Sequence, residues 1–464
     1  MSMINAYDAR ATNGVAERER ALIARRERLL GPAYRLFYAN PVHLVRGEGV
    51  WLYDPDGRAY LDVYNNVASV GHCHPHVVAA LSRQASVLNT HTRYLSEGIL
   101  DYAEKLLGYF PAELSHVMFT CTGSEANDLA FRVARSYTGG TGFIVTRLAY
   151  HGVTVAISEM SPSLGTGISL GENVRTVPAP DGYRGGEGVA ERFAADVRAA
   201  IADMQAAGIQ PAALLVDTAF TSDGVFTDPA GFLAPAVEAI REAGGLFIAD
   251  EVQPGFGRTG DAMWGFARHG LVPDMVTMGK PMGNGHPIAG MVARPEILAR
   301  FGERTRYFNT FGGNPVSCAV GQAVLEVIEN EQLVENARTT GAYLMAGLRR
   351  LAERFEIIGD VRGAGLMVGV ELVTDRATKA PGTAAAAALV NGLRERRVLI
   401  SASGPHANVL KIRPPLVFRP EHADHFLAAM EAVLPSLPRC RGPWSHGRSP
   451  ARRRPSARRR GHRR

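Results

Sequence analysis

Short apolar runs alternate with helical stretches through the middle of this 464-residue chain, and that alternation limits the fold more than any other feature. Runs rich in Val, Ile, Leu and Phe fall at Val117–Thr120, Phe143–Thr146, Leu214–Asp217, Leu246–Asp250 and Met275–Met278. Helical stretches such as Gly123–Tyr137 and Pro229–Ala243 separate them. The second of these has Asp228 placed as an N-cap, Pro229 in the first turn and Gly244 past the end. Strand and helix in alternation imply an α/β fold, a mostly parallel sheet with helices on both faces.

The flanks differ. Val15–Leu30 reads as a charged helix, and two apolar runs around Asp54-Pro55-Asp56-Gly57 read as a hairpin. Beyond Phe311 come long amphipathic helices, Asn314–Asn330 and Leu333–Phe355, then a strand over Gly365–Leu372 and a last helix over Pro420–Leu434. The expected division is residues 1–64 as an N-terminal helix and hairpin belonging to a smaller domain, and 65–325 as the large domain. Residues 326–438 then form the smaller α+β domain and 439–464 a tail.

Net charge separates the tail from the rest. The whole chain carries +6, yet residues 439–464 hold eleven arginines and no lysine or acid, which leaves the first 438 residues at −5. Arginine clusters among Pro, Ser and Gly bury almost nothing, so the tail is expected to be disordered. Electrostatic binding to nucleic acid is its lesser reading, and a dispensable extension the preferred one. No apolar run approaches a membrane span, and the polar N-terminus lacks the features of a secretory signal, so a cytoplasmic location is expected. Cys73, Cys121, Cys318 and Cys440 have no paired spacing, which argues for reduced thiols over disulfides or a zinc site.

Among so many arginines only Lys105, Lys280, Lys379 and Lys411 can form an imine. Lys105 lies on an amphipathic helix and Lys379 in a polar loop, so both read as solvated. Lys411 alternates with Arg413 on a strand over Val409–Arg413 and suits substrate charge better than an imine. Lys280 remains, between an apolar strand and a glycine-rich turn.

Asp250 ends the preceding strand, at the carboxyl edge where open α/β sheets bind ligands. A carboxylate buried there needs a cation or several donors. A protonated pyridine nitrogen supplies one, and such a charge-assisted hydrogen bond contributes about 1.5–3 kcal/mol. A lysine that tethers an aldehyde and later moves protons, beside an acid that keeps a ring nitrogen protonated, suits pyridoxal phosphate. Glu251 faces the other way by alternation and reads as structural.

Thr122-Gly123-Ser124 joins a strand to a helix, so Gly123 and Ser124 can offer first-turn N–H groups to a phosphate. A helix terminus contributes about 0.3–1 kcal/mol, up to about 2 where partly buried, so further donors are needed, and the Thr310 hydroxyl is a candidate. Tyr150 offers a face for stacking on a planar ring. Taken singly, each has a plainer reading: helix capping for Gly-Ser, core packing for the tyrosine. His72, His74 and His76 would share a face if extended, but Pro75 starts a helix over Val77–Leu88 and pulls His76 away, so no metal site is expected.

With Gly71-His72-Cys73-His74-Pro75, Thr122-Gly123-Ser124-Glu125-Ala126-Asn127, Tyr150-His151-Gly152, Asp250-Glu251-Val252-Gln253, Gly255-Phe256-Gly257-Arg258-Thr259-Gly260, Gly279-Lys280 and Asn309-Thr310-Phe311-Gly312-Gly313-Asn314-Pro315 in that order, the chain resembles class III pyridoxal-phosphate aminotransferases over about residues 30–437. Within the class it most resembles the group of the second type of alanine-glyoxylate aminotransferase and of phospho-lyases acting on ethanolamine phosphate and phosphohydroxylysine. Asn65-Asn66-Val67-Ala68, the stretch from Met278 to Pro287 and Leu410-Lys411-Ile412-Arg413-Pro414-Pro415 carry that placement.

The resemblance implies fold type I, with Lys280 carrying the cofactor as a Schiff base and Asp250 on the pyridine nitrogen. It also places Gln253 on the ring hydroxyl and Val252 on the ring opposite Tyr150. Gly123 and Ser124 would hold the phosphate, with Thr310 reaching it from the other subunit of a homodimer, and Arg413 would bind a substrate carboxylate. The Thr-Gly-Ser cup departs from the Ser-Gly-Thr or Ser-Gly-Ser more usual in the class but keeps a glycine and a hydroxyl. The expected activity is transfer of an amino group from an amine or amino acid to a 2-oxo acid by a ping-pong cycle. The alternative is a phospho-lyase, with Lys411, Arg413 and Arg93 as partners for a substrate phosphate.

Overall fold

The structure, a computed structural model, describes residues 5–10 and 15–437. The arginine-rich tail, its expected disorder and Cys440 lie outside the described residues.

Seven strands form the central sheet: β1 (His116–Thr120), β2 (Gly142–Thr146), β3 (Val174–Val177), β4 (Pro211–Asp217), β5 (Leu246–Asp250), β6 (Met275–Met278) and β7 (Ala289–Ala293). They lie in the order β1, β7, β6, β5, β4, β2, β3. All neighbours pair in parallel except β7, which runs antiparallel to β1 and β6. Strands β2, β5, β6 and β7 are buried at every residue, as helices on both faces require. The apolar runs noted in sequence are β1, β2, β4, β5 and β6. Strand β3 escaped notice because it is a half-buried edge containing Arg175, and β7 because it is built of small residues.

The helices start where local chemistry allows. Thr122 caps Gly123–Thr138 by accepting from the Glu125 N–H, while the Glu125 carboxylate accepts from the N–H groups of Cys121 and Thr122. The helix expected over Pro229–Ala243 is shorter: it spans Ala234–Glu242, with Leu233 before its first turn. Asp228 is not its cap. The Asp228 carboxylate instead accepts from Arg268 Nη2 at 2.6 Å and Thr227 Oγ1 at 3.1 Å, so an ion pair takes the oxygens a cap would use.

A second, antiparallel sheet joins Ile358–Ala364, Met367–Asp375, Val409–Ile412 and Ser401–Ser403, with Ala380–Pro381 beside the second strand. The hairpin Trp51–Tyr53 and Ala59–Asp62 continues, by parallel pairing, onto Val398–Leu399. Residues far apart in sequence thus share one sheet near the carboxyl ends of β4 to β6. No helix among the described residues is long and apolar enough to cross a membrane.

Helix Leu333–Arg354 crosses the turn between the first two strands of the second sheet at Gly341, where a Cβ would lie 2.1 Å from the Gly365 carbonyl oxygen. Backbone cannot yield as a flexible side chain can, so Gly341→Ala should cost about 1–3 kcal/mol. Thermal denaturation should show a lower midpoint for this variant. An unchanged midpoint would mean that the helix shifts without penalty.

Candidate active site

Strands β4, β5 and β6 end side by side and deliver their last side chains into one cleft. Gly123, Ser124, Asn127, Tyr150, His151, Asp217, Asp250, Val252, Gln253 and Lys280 line it. Seven of the residues singled out in sequence meet there: Gly123, Ser124, Tyr150, Asp250, Val252, Gln253 and Lys280.

Asp250, 4% exposed, is held on both oxygens. Oδ1 accepts from the Val252 N–H at 3.1 Å. Oδ2 accepts from Asn127 Nδ2 at 3.0 Å and lies 2.7 Å from His151 Nδ1. The supports are themselves supported. Asn127 accepts from Thr277 Oγ1 on β6 and donates to the His151 carbonyl, while the His151 N–H donates to Ser161 Oγ. These bonds fix the carboxylate's position while leaving Oδ1 with a single donor.

Lys280 opens a short helical turn, Lys280–Gly283, directly after β6. Its φ of 24° lies on the side of backbone space that non-glycine residues occupy at a cost of about 1–3 kcal/mol. The amine stands 5.9 Å from the centre of the Tyr150 ring. Burial first, and then the Arg413 cation, push it down to about 8, against the opposing pull of Asp250 and Asp217. A lysine so placed gives up its proton, and so becomes a nucleophile, far more readily than a surface lysine.

The anion cup packs tightly. A Cβ on Gly123 would lie 3.0 Å from Val252 Cγ2, and one on Gly152, at φ 141°, would lie 2.5 Å from Ser124 Oγ. Ser124 Oγ accepts from the Val153 N–H at 3.1 Å.

Arg413 and Thr310 do not line this cleft. Arg413 lies behind Gln253, its Nη1 donating to Gln253 Oε1 and Asn66 Oδ1, both at 2.6 Å, with the guanidinium 4.3 Å from the Tyr64 ring centre. Thr310 is exposed, on a loop beside Phe311. Arg93 also faces outward, stacked 3.7 Å over the Phe308 ring. The three histidines each take a different carboxylate: His72 with Asp62, His74 with Glu331 and His76 with Glu326. Among the described residues no group of three or more His, Cys, Asp or Glu could hold a metal ion. Lys105 pairs with Glu329 and Lys379 donates to the Tyr183 carbonyl, both away from the cleft. Glu251 has a structural partner set, Thr218 Oγ1 and the N–H groups of Gly265 and Phe266, and burial pushes it up to about 7.

Three cleft residues were not recognised from sequence. Asp217 ends β4 as Asp250 ends β5, and the two are paired across the sheet, so the argument made for Asp250 applied equally to it. Burial raises its carboxyl above the ordinary aspartate value although Thr221 and Ala219 donate to it. His151 sits beside Tyr150 in sequence, but only its contact with Asp250 reveals its use. Asn127 carries no local signal.

A parallel sheet with one reversed strand, and a lysine and an aspartate at adjacent strand ends, define the fold class of pyridoxal-phosphate-dependent transferases. The family model Aminotransferase class-III matches residues 37–434, and the chain belongs to that family. It is 41% identical over 426 residues, 89% of this chain and 86% of the other, to a Drosophila melanogaster protein named alanine–glyoxylate aminotransferase 2-like. It is 37% identical over 447 residues, 92% of this chain and 95% of the other, to the Caenorhabditis elegans ethanolamine-phosphate phospho-lyase homolog 1. Among solved structures it is similar to a phospholyase from Arthrobacter in complex with phosphoethanolamine. That structure has a TM-score of 0.87 and 46% identity over 90% of this chain and 100% of that one.

The family's cofactor is pyridoxal phosphate, and the cleft fits it. An anchored carboxylate suits a ring nitrogen, first-turn N–H groups suit a phosphate, Val252 and Tyr150 offer surfaces for a ring, and a lysine of lowered basicity suits an aldehyde. Because only a neutral amine attacks an aldehyde, uptake of the cofactor by stripped protein should accelerate as pH rises through about 8. Stopped-flow absorbance of imine formation measures this, and a rate independent of pH across that value would contradict the buried-amine reading.

Proposed function

We propose that this chain is a pyridoxal-phosphate-dependent lyase that removes phosphate from a phosphorylated primary amine such as phosphoethanolamine. The sequence alone favoured transamination because Arg413 was available for the carboxylates of donor and acceptor. One observation reverses that preference. Arg413 does not line the cleft, and its Nη1 is committed to Asn66 and Gln253, so the Nη1–Nη2 pair is not free to grip a carboxylate end-on. Elimination needs no second, keto-acid substrate. The likeness to the Arthrobacter phospholyase supports the same reading.

When bound, the cofactor supplies an electron sink for the carbon next to the substrate nitrogen. Asp250, braced by His151 and Asn127, would hold a proton at the ring nitrogen. Lys280, as a free amine, would take the proton from the carbon bearing nitrogen. The carbon–oxygen bond to phosphate then breaks with its electron pair on the departing phosphate. One water is consumed, and acetaldehyde, ammonia and inorganic phosphate leave.

Holoenzyme given phosphoethanolamine and no keto acid should release phosphate and acetaldehyde in equal amounts, and Lys280→Ala should release neither while remaining folded. Conversion of pyruvate or glyoxylate to its amino acid, without phosphate release, would establish the second reading, an aminotransferase. The name of the Drosophila relative favours that reading.

We also propose a homodimer in which Thr310 reaches the cofactor phosphate of the partner subunit. Val87, Leu88, Tyr94, Leu95, Phe308 and Phe311 are exposed on two segments joined by the contact of His91 with Phe308, and Thr310 stands among them. Such an apolar patch is best explained by a second copy. Leu95→Glu should sediment as a monomer and retain cofactor more weakly than wild type; a variant that stays dimeric would remove this patch from the interface.

A further inference from the structure

We propose that Asn284 is a positioning residue for Lys280, its side-chain amide clasping the backbone at Val70 and Gly71 and so holding the amine of the strained lysine turn in the cleft. This role is the same whether the enzyme eliminates phosphate or transfers an amino group.

The turn has left-handed backbone at both ends, with Lys280 at φ 24° and Asn284, the residue that closes it, at φ 49°. Inside it the Met282 N–H donates to the Gly279 carbonyl at 2.9 Å and the Asn284 N–H to the Pro281 carbonyl at 3.1 Å. Such local bonds shape the turn without fixing it against the rest of the protein. Three further bonds do fix it, all to one short segment. Ser69 Oγ donates to the Pro281 carbonyl at 3.2 Å, the Val70 N–H donates to Asn284 Oδ1 at 2.9 Å, and Asn284 Nδ2 donates to the Gly71 carbonyl at 2.8 Å.

That segment is itself held from elsewhere. Ser69 and Val70 are buried, and the Leu416 N–H donates to the Ser69 carbonyl at 2.6 Å. Just past Gly71, His72 and Gly49 exchange a pair of backbone bonds, and His72 Nε2 lies 2.8 Å from Asp62 Oδ2. A Cβ on Gly71 would lie 3.2 Å from Gly49 Cα, so the two chains already press together there. Loss of the Asn284 clasp therefore leaves the segment in place and frees the lysine turn. Beyond the turn, His286 Nε2 lies 2.8 Å from Ser317 Oγ, which anchors the exit of the chain and not the lysine.

Backbone preference alone does not account for Asn284. Glycine adopts a φ of 49° at least as readily, but has neither the acceptor nor the donor. Lys280 owes its lowered basicity chiefly to burial, with Arg413 adding to it and Asp250 and Asp217 opposing. A turn that relaxes carries the amine towards water and back towards ordinary lysine behaviour. Misplacement by about 1 Å costs up to about 100-fold in rate.

The test compares wild type with Asn284→Gly, following imine formation between stripped protein and saturating pyridoxal 5'-phosphate by stopped-flow absorbance as a function of pH. Asn284→Gly should move the midpoint of the rate up from about 8, by about half a pH unit or more. It should also lower the plateau rate at high pH about 10- to 100-fold. Circular dichroism should match wild type. A wild-type midpoint and plateau rate in folded Asn284→Gly would overturn the role, whatever the thermal midpoint, and would leave Asn284 as a residue kept for its backbone. If Asn284→Gly does not fold, Ser69→Ala, which removes the neighbouring bond and leaves the turn's own sequence intact, is read in the same way. An unchanged midpoint and rate then reject the clasp. If wild type shows no midpoint near 8, the buried-amine reading falls by itself and the plateau rates alone decide.

Discussion

Burying a carboxylate at the end of a parallel strand is the constraint on which the rest of this site depends. Asp250 remains there because three groups from three parts of the chain converge on it: the Val252 N–H from its own turn, Asn127 from the helix after β1, and His151 from the loop after β2. The last two are each fixed by another bond, Asn127 to Thr277 and the His151 N–H to Ser161. The helix start that presents Gly123 and Ser124 is therefore tied through Asn127 to the strand that presents Lys280. Phosphate cup, acid and the strand before the amine are tied into one hydrogen-bonded assembly.

The same economy explains the density of charge around the cleft. Asp217, Asp223 and Asp250 stand on one side, with Lys280, Lys411 and Arg413 facing them, and burial pushes Asp223 up to about 6 as it pushes Lys280 down to about 8. Neither set is fully paired inside the protein. Arg258, 1% exposed, adds a further cation whose Nη1 donates to the carbonyl oxygens of Leu366 and Pro414 rather than to a carboxylate. Cations that donate to carbonyl oxygens, as Arg258 and Arg413 do, keep an attraction for an anionic ligand that salt bridges would have offset.

Much of this could be read from the sequence. Lysine is so scarce that Lys280 was found by elimination, and the runs ending in Asp217 and Asp250 announced buried parallel strands. What escaped did so for physical reasons. Strand β3 is an edge with only one face to bury, β7 is built of Ala, Gly, Met and Val, and Ala234–Glu242 begins late because Arg268 occupies the carboxylate that would have capped it. Asn127 and His151 act only through contacts with Asp250, 123 and 99 residues away. The commitment of Arg413 to Gln253 and Asn66 likewise joins three separate segments, and no pattern within any one of them predicts it.

That last contact also divides the site by origin. Asp250 ends a strand of the central sheet, and Lys280 begins the turn that follows the next one. Lys411 and Arg413 come from the second sheet, which is seated against the first by Arg362 donating to the Gly224 and Val225 carbonyls and by Arg258 donating to that of Pro414. These seams run beside the loop bearing Asp223 and the turn bearing Arg413. The positions of Lys411 and Arg413 thus depend on the fit between two sheets, while Asp250 and Lys280 are both carried by one.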